Sequence, residues 1–197
     1  MLFRSVFQAL QRDWTKGVYG TPIHVRIHCF FPSKHTKIGW RGEAKRSGGW
    51  ALGNIGTHLI DLARWFMGDV AQAFGHLSNL AWGIKVDDHA IVTMGFKNGG
   101  SATISAAMTR VASAGPRFEL YGSHGHVVFD GALFGLPGTM SSSRKGRKAR
   151  SRAVSAVNTY KLQVEAFDRA LRGGAAFQAS ARDGLENLKV MEQARGW

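Results

Sequence analysis

The sequence predicts an α+β fold in which helices pack on one face of an open, mainly antiparallel sheet. From Val70 onward the chain consists of short apolar runs, most of them separated by turn signals such as KNGG at 97–100. Strands that follow one another through tight turns pair antiparallel, because a parallel return needs a crossover of about a dozen residues or more. Helical patterns stand at both ends of the chain. Helices around a run of strands indicate two layers, with the helices on one side of the sheet.

Near-helical spacing of apolar residues predicts helices at 2–16, 158–172 and 180–195. The last two helices have apolar sides formed, respectively, by Tyr160, Val164, Phe167, Ala170 and Leu171, and by Leu185, Leu188, Val190 and Met191.

Alternating residues predict a first strand at 23–31, which is followed by a polar loop at 32–47. After a helix that opens with two glycines, the remaining runs predict further strands, and we expect a sheet of five or six. These runs are at 70–82, 89–96, 101–110, 117–122 and 126–131.

The composition is that of one globular domain spanning residues 1–197, with 44% apolar and 20% charged residues. No run approaches the ~18 consecutive apolar residues of a membrane span, and the N-terminal residues lack a secretory apolar region. We therefore expect a cytoplasmic protein with no membrane partner. The single cysteine, Cys29, excludes an internal disulfide and a multi-cysteine zinc site.

The net charge of +13 resides mainly at the two ends of the chain and in one basic run, SSSRKGRKARSR at 141–152. This run contains no apolar residue larger than alanine, so we expect a mobile, solvated loop. A nucleic-acid surface collects its basic residues on one face. Because the excess is instead divided between the two ends, nucleic-acid binding is only a third hypothesis for the function, and nucleic acid is not an expected partner.

The segment GGWALGNIGTHLIDLARWF at 48–66 predicts a helix with a polar stripe. At about 100° per residue, Asn54, His58 and Asp61 lie on one side of a regular α-helix. An imidazole near a carboxylate or an amide is suited to proton transfer, since its pKa lies near neutrality and its neighbour fixes the tautomer. The alternative is a structural histidine in a domain interface, held by Asp61. Spacing alone leaves both open.

Gly53 and Gly56 lie inside the same predicted helix. Each glycine costs about 1 kcal/mol relative to alanine in a helix interior. Two such residues indicate that some group approaches the backbone closely near the start of the helix.

The glycine-rich segment resembles the signature of the glucose–fructose oxidoreductase/inositol dehydrogenase family (Gfo/Idh/MocA). That signature is three glycines, an aspartate four residues later, then glycine and histidine, then a second aspartate, and a Trp-Arg pair often precedes it, as Trp40 and Arg41 do here. Four further stretches match in the expected order. They are VDDHAIVTMGFKNGGSATIS at 86–105, FELYGSHGHVVFDG at 118–131, YKLQVEAFDRALRGG at 160–174 and SARDGLENLKVMEQA at 180–194.

Family members have an N-terminal Rossmann domain that binds NAD or NADP, followed by a substrate and oligomerisation domain on an open sheet. The resemblance implies that this chain is the second domain alone, because no G-x-G-x-x-G follows a strand in it. NAD or NADP is thus implied by the family, and we expect no cofactor to be bound by this chain alone.

The resemblance also assigns roles to residues. His58 matches the histidine that exchanges a proton with the substrate hydroxyl, and Asn54 takes the place of the first family aspartate. An asparagine can position a sugar or an imidazole but cannot act as a base. Asp61, Trp40 and Arg41 are assigned to substrate binding. Trp50 stands where the family has its third glycine, which would narrow the approach to the helix start.

Three functions are weighed. The first is the C-terminal half of an NAD(P)-dependent sugar or cyclitol oxidoreductase, inert without a nucleotide-binding half that a separate Rossmann chain could supply. The second is a non-catalytic binding or oligomerisation module, and the third is the nucleic-acid hypothesis. The expected partners are a small polyol or sugar and a second copy of the chain, packed through the open sheet face. A metal site is not expected, because the His24/His28 and His124/His126 pairs lack a third ligand at suggestive spacing.

Overall fold

The structure is a computed structural model that describes residues 1–33, 39–109 and 115–196. It confirms the α+β class, with an open, mostly antiparallel sheet. The elements in chain order are α1 (Ser5–Thr15), β1 (Pro22–Pro32), a 3-10 turn (Gly39–Gly42), α2 (Ala44–Ser47), a π-helix (Ala51–Gly56), α3 (Thr57–Met67), β2 (Val70–Ser78), β3 (His89–Phe96), β4 (Ser101–Thr109), β5 (Arg117–Gly122), β6 (Gly125–Gly131), β7 (Gly138–Arg144), β8 (Arg147–Val154), α4 (Thr159–Leu171) and α5 (Ala181–Arg195).

The sheet has eight strands among the described residues, in the order β2-β3-β4-β1-β5-β6-β7-β8. The expected count of five or six was therefore too low. Every neighbouring pair is antiparallel except β1 and β4, which run parallel. The segment 32–47, which was expected to be a loop, contains a 3-10 turn and the short helix α2. Residues 34–38 of that segment lie outside the described residues, as does the last residue of the strand expected at 101–110.

The prediction of a mobile loop at 141–152 was wrong, because this run lies in the hairpin of β7 and β8. Its turn contains Gly146 at φ 73°, a conformation that suits glycine. These two strands form without an apolar face, because backbone hydrogen bonds join β7 to β6 and β8 to β7. Strand β8 is the sheet edge, where Lys and Arg side chains oppose pairing with another chain. Among the described residues, no ion pair involves this basic hairpin.

The core lies between one face of the sheet and the helices α1 and α3. Strand β3 buries alternate residues, so that Ala90, Val92, Met94 and Phe96 face the helices. Helix α1 contributes Phe7 and Leu10, both buried. Helix α3 is buried through Leu59, Ile60, Leu62, Ala63, Phe66 and Met67. Burial of these residues is the main favourable term that holds the two layers together.

Helix α4 differs from this arrangement, because its expected apolar side is exposed except for Ala170. Tyr160, Val164, Phe167 and Leu171 are 80%, 67%, 50% and 72% exposed. The residues that turn toward the rest of the chain are Leu162, Ala166 and Ala170, which are half-buried. Helix α5 is divided in the same way. It buries Asn187, Val190, Met191 and Ala194, while the expected Leu185 and Leu188 remain exposed.

No helix among the described residues is long and apolar enough to cross a membrane.

Candidate functional site

A π-helix begins the segment that carries the polar stripe. Wide π turns are rare, and they occur frequently at functional sites. The carboxylate of Asp87 holds the start of this turn, because it accepts hydrogen bonds from the backbone N–H groups of Trp50 at 3.1 Å and Leu52 at 2.7 Å. Burial raises the pKa of Asp87, and these backbone hydrogen bonds oppose that shift.

The groups that approach the glycines near the helix start belong to the protein itself. Gly49 has φ 110°, and a Cβ atom there would collide with the Asp87 carboxylate. A Cβ on Gly53 would lie 3.3 Å from the Ser47 carbonyl oxygen, and one on Gly56 would lie 3.0 Å from Leu52. The close approach expected from the two helical glycines is therefore confirmed. It positions the backbone of the π turn.

Asn54 and His58 both lie on the solvent-exposed side of this segment. Because residues 51–56 are π-helical, Asn54 does not precede His58 by one regular α-helical turn, as the expected spacing assumed. Trp50 is buried, and its ring packs edge-on against Trp82 with centroids 5.6 Å apart.

Asp61 takes part in a different contact. Its Oδ1 atom accepts a hydrogen bond from Nδ2 of Asn187 on α5, at 3.2 Å. Oδ1 of Asn187 in turn accepts from Nη1 of Arg64, at 2.7 Å. This chain of polar contacts joins α3 to α5. Asp61 therefore has a structural partner, and its assigned role in substrate binding stays a prediction.

His58 makes no hydrogen bond to the described residues. Its ring meets Phe134 in an edge-on arrangement, with centroids 5.8 Å apart and an interplanar angle of 74°. Loss of hydration lowers the pKa of His58, the chain's amino terminus acts in the same direction, and the charge of Asp61 acts against both. Since the ordinary value for histidine is about 6.5, the ring is neutral at neutral pH and can accept a proton.

Trp40 and Arg41 lie in the exposed 3-10 turn, and the Arg41 guanidinium stacks 4.7 Å from the centroid of the Trp40 ring. Within the described part of the chain, neither side chain bonds to Asn54, His58 or Asp61. Asn54 and His58 thus lie on one surface of the structure. The role of Trp40 and Arg41 in substrate binding stays a prediction, because neither is bonded to these two residues in the part of the chain that the structure describes.

His58 and Asn54 are exposed and lie outside the three main cavities. These cavities have volumes of about 440, 710 and 580 Å³. Among the residues that the structure describes, no group of three or more His, Cys, Asp or Glu could hold a metal ion. An exposed imidazole can exchange a proton with a molecule that binds against it.

Sequence reasoning assigned no role to two residues of this region, Phe134, whose ring contacts His58, and Arg4, which bonds the loop that carries Phe134. Phe134 lies in the loop between β6 and β7, and Arg4 is 2% exposed beneath that loop. The Arg4 guanidinium donates to the backbone oxygens of Ala132, Leu136 and Ser155. No local pattern could reveal these contacts, because they join residues that are more than 100 positions apart.

Comparison with known proteins gives the same fold and a family. The model of the GFO/IDH/MocA C-terminal domain matches residues 7–128. The chain is 25% identical over 188 residues to the 1,5-anhydro-D-fructose reductase of Ensifer adhaerens, which covers 93% of the chain and 56% of the reductase. It is 28% identical over 122 residues to the levoglucosan dehydrogenase of Pseudarthrobacter phenanthrenivorans, covering 49% of the chain and 31% of the dehydrogenase.

Solved structures share the architecture. The aldose-aldose oxidoreductase from Caulobacter crescentus complexed with glycerol has a TM-score of 0.83 at 22% identity, covering 99% of this chain and 58% of that one. The NAD binding oxidoreductase from Klebsiella pneumoniae has a TM-score of 0.85 at 15% identity, covering 99% and 61%. At such identities the likeness shows the fold alone. The chain spans little more than half the length of the Ensifer adhaerens reductase, and it belongs to the GFO/IDH/MocA C-terminal domain family.

Proposed function

We propose that these residues form the substrate-binding and oligomerisation part of an NAD(P)-dependent oxidoreductase that acts on a sugar or polyol. The observation that carries the proposal is His58, a neutral, exposed imidazole in the first turn of α3, directly after the π-helix. It makes no hydrogen bond to the described residues and its ring is set against Phe134. A base that transfers a proton must reach the substrate hydroxyl. An imidazole that is already hydrogen-bonded to another residue would have to break that hydrogen bond first.

His58 would take the proton of a substrate hydroxyl during oxidation and return it during reduction. The lowered pKa keeps the ring neutral before oxidation, which is the state that accepts a proton. Asn54, exposed on the same surface, would orient the substrate through its amide, because an amide is both a donor and an acceptor of hydrogen bonds. Asp61, bound to Asn187, would hold α3 in place and contribute negative charge near the imidazole.

NAD or NADP would supply the hydride acceptor or donor. The chain has no glycine-rich turn between a strand and a helix of the type that holds a dinucleotide. The residues of this chain alone therefore do not fit the cofactor, and a nucleotide-binding part must hold it against the His58 surface. One solved neighbour is a levoglucosan dehydrogenase in complex with NADH, which supports a nicotinamide cofactor for the whole enzyme.

The exposed apolar face of α4 gives such a part a place to dock. We define the α4 face as Tyr160, Val164, Phe167 and Leu171, all at least half exposed. Phe167 contacts Phe177, which stacks on Phe3 with ring centroids 5.2 Å apart. The α4 face is therefore continuous with the first residues of the chain. A large apolar surface of this kind marks an interaction site.

The outer face of the sheet supports the proposal of a homo-oligomer. On β2, β3 and β4 this face carries no Lys, Arg, Asp or Glu, and it exposes Phe74 and Ile91. The uncharged area ends at β1, where Arg26 pairs with Thr103 across the parallel ladder. Beyond it, Arg117 bonds Glu119 at 2.5 Å and Asp130 at 3.2 Å. A second copy would cover the uncharged part of this face, with the basic hairpin left outside.

The test fuses the nucleotide-binding part of the Ensifer adhaerens reductase ahead of Met1. We expect the fusion to bind NAD(H) or NADP(H), and either to reduce 1,5-anhydro-D-fructose with the reduced cofactor or to oxidise levoglucosan with the oxidised cofactor. His58→Ala should then lower kcat by about 10² or more, the usual effect of losing a proton-transfer group. Asn54→Asp should leave the activity unchanged or raise it.

The control is His124→Ala, which removes an exposed histidine in the turn between β5 and β6. It should not change kcat. If the fusion binds the cofactor but wild-type turnover persists in His58→Ala, the histidine is structural. If the fusion binds the cofactor and turns over none of the sugars, the non-catalytic module is the better account.

A further inference from the structure

The loop between β6 and β7, residues 132–137, has an unfavourable backbone. Ala132 and Phe134 have φ angles of 58° and 49°, and Gly135 has φ 84°. Side chains with a Cβ atom rarely occupy this left-handed region. Such a loop keeps its conformation only where the surrounding structure determines it, and conformations of this kind concentrate at functional sites.

Arg4 is the group that holds both ends of this loop. Its Nη1 atom donates to the oxygen of Ala132 and, at 3.0 Å, to that of Leu136, while Nη2 donates to the oxygen of Ser155 at 2.8 Å. Arg4 is 2% exposed and has no ion pair among the described residues. A buried guanidinium without a carboxylate is costly. Its planar set of donors suits it to bridge several carbonyl groups at fixed positions.

The loop carries Phe134 to the imidazole of His58, where the two rings meet edge-on with centroids 5.8 Å apart. The aromatic ring therefore lies against one side of the imidazole. Ala132 and Leu133, which precede Phe134, are fully buried, and the backbone oxygen of Leu136, which follows it, accepts from Arg4. The loop is therefore anchored on both sides of the contact. The other charged groups near His58 are Asp61 on its own helix and the amino terminus of Met1.

We propose that Arg4 is a positioning residue of the His58 site, which acts through the β6–β7 loop by holding Phe134 against the imidazole. Arg4 touches neither the substrate nor the reacting atoms. Its effect on proton transfer rests on the function proposed above, whereas its effect on His58 itself does not. Phe134 determines the hydration and the orientation of the His58 ring, and Arg4 fixes the position of Phe134.

The experiment follows the His58 pKa by NMR in the 197-residue chain, with its ring signal assigned by its loss in His58→Gln. In Phe134→Leu we expect the His58 pKa to rise toward the ordinary histidine value, because water regains access to the imidazole. Arg4→Met should also raise it. Arg12→Met removes an exposed guanidinium from α1, the helix that begins directly after Arg4. It is the matched control and should leave the His58 pKa unchanged.

The double variant Arg4→Met/Phe134→Leu distinguishes action through the loop from a direct effect of the charge. If Arg4 acts through Phe134, the double variant has the same His58 pKa as Phe134→Leu alone. Shifts that add would overturn the proposal, and so would an unchanged His58 pKa in Phe134→Leu.

If Arg4→Met does not fold, Arg4→Lys replaces it in the same comparison of single and double variants. Lysine keeps the charge and lacks the planar fork, so a shift in Arg4→Lys supports the loop route and an unchanged value contradicts it. The measurement requires no turnover. Failure of the positioning proposal is thereby distinguished from failure of the proposed oxidoreductase activity, which the kinetic test addresses.

Discussion

Helices α3 and α4 are similar in length and both amphipathic, yet one buries its apolar face and the other exposes it. Helix α3 places six apolar residues against the sheet, all buried. Helix α4, two residues longer, has no fully buried residue. Periodicity therefore identifies an apolar face on a helix but does not say what covers it. For α3 the cover is the inner face of the sheet, within the same chain.

The difference follows from what each helix packs against. Helix α3 lies against β1 and β4 in the middle of the sheet, where the inner-facing residues are buried. Helix α4 comes after β8, the strand at one sheet edge, whose residues are exposed except for Val154. Only the side with Leu162, Ala166 and Ala170 finds partial cover. An uncovered face of this size indicates a surface that another body covers.

Stability should distinguish the two helices most clearly. Leu62→Ala removes a fully buried side chain and should lower the free energy of unfolding by about 2–5 kcal/mol, through lost burial and the cavity left behind. Leu171→Ala makes the same chemical change on the α4 face, where Leu171 is 72% exposed, and should stay within about 0.5 kcal/mol. Urea unfolding followed by circular dichroism measures both. An equal loss in the two variants would show that the isolated chain already covers the α4 face.

The same contrast explains how much of the fold the sequence predicts. Strand β3 and strand β5 occupy the predicted ranges 89–96 and 117–122, because a half-buried strand must alternate. The basic hairpin gave no such signal. Edge strands β7 and β8 need no apolar face, so their stability comes from backbone pairing with β6, which periodicity does not report.

In the candidate site, too, one part could be predicted from the sequence and another could not. The exposed positions of Asn54 and His58 could be predicted, since the core face of α3 is defined by its apolar residues and leaves the stripe outside. The contacts that organise the site could not. Asp61 reaches Asn187 on α5, and Arg4 reaches the loop that carries Phe134. These contacts are made by polar groups to distant backbone or amide atoms, and no spacing along the chain predicts them.

The outer sheet face offers a second uncovered surface on which to test the comparison. If it lies against a second copy, Thr103→Lys should weaken dimerisation by about a hundredfold or more, because it would bury an unpaired charge twice per dimer, next to Arg26. Sedimentation velocity measures the dissociation constant. Ser151→Lys adds the same charge to the same face at the far edge of the sheet and should have little effect. A wild-type chain that is monomeric at tens of micromolar, and is unchanged by Thr103→Lys, would contradict the proposed interface.

The smallest expected effect concerns the α4 face itself. Val164 is 67% exposed at the centre of that face, and Val164→Glu should not change the stability of the isolated chain. With the nucleotide-binding part of the Ensifer adhaerens reductase supplied as a separate chain, the same change should weaken association by about tenfold or more, since an interface that excludes water cannot solvate the new carboxylate. Titration calorimetry measures the binding.

The matched control for Val164→Glu is Gln163→Glu, which places the same charge one residue away, to the side of the α4 face. Its effect on association should be clearly smaller, because the carboxylate there can remain in water at the rim of the contact, where a charge changes binding little. Equal weakening by both variants would mean that added negative charge on α4, and not the loss of an apolar contact, opposes binding. Undiminished binding in Val164→Glu would show that the nucleotide-binding part docks on another surface and that the α4 face has a different partner.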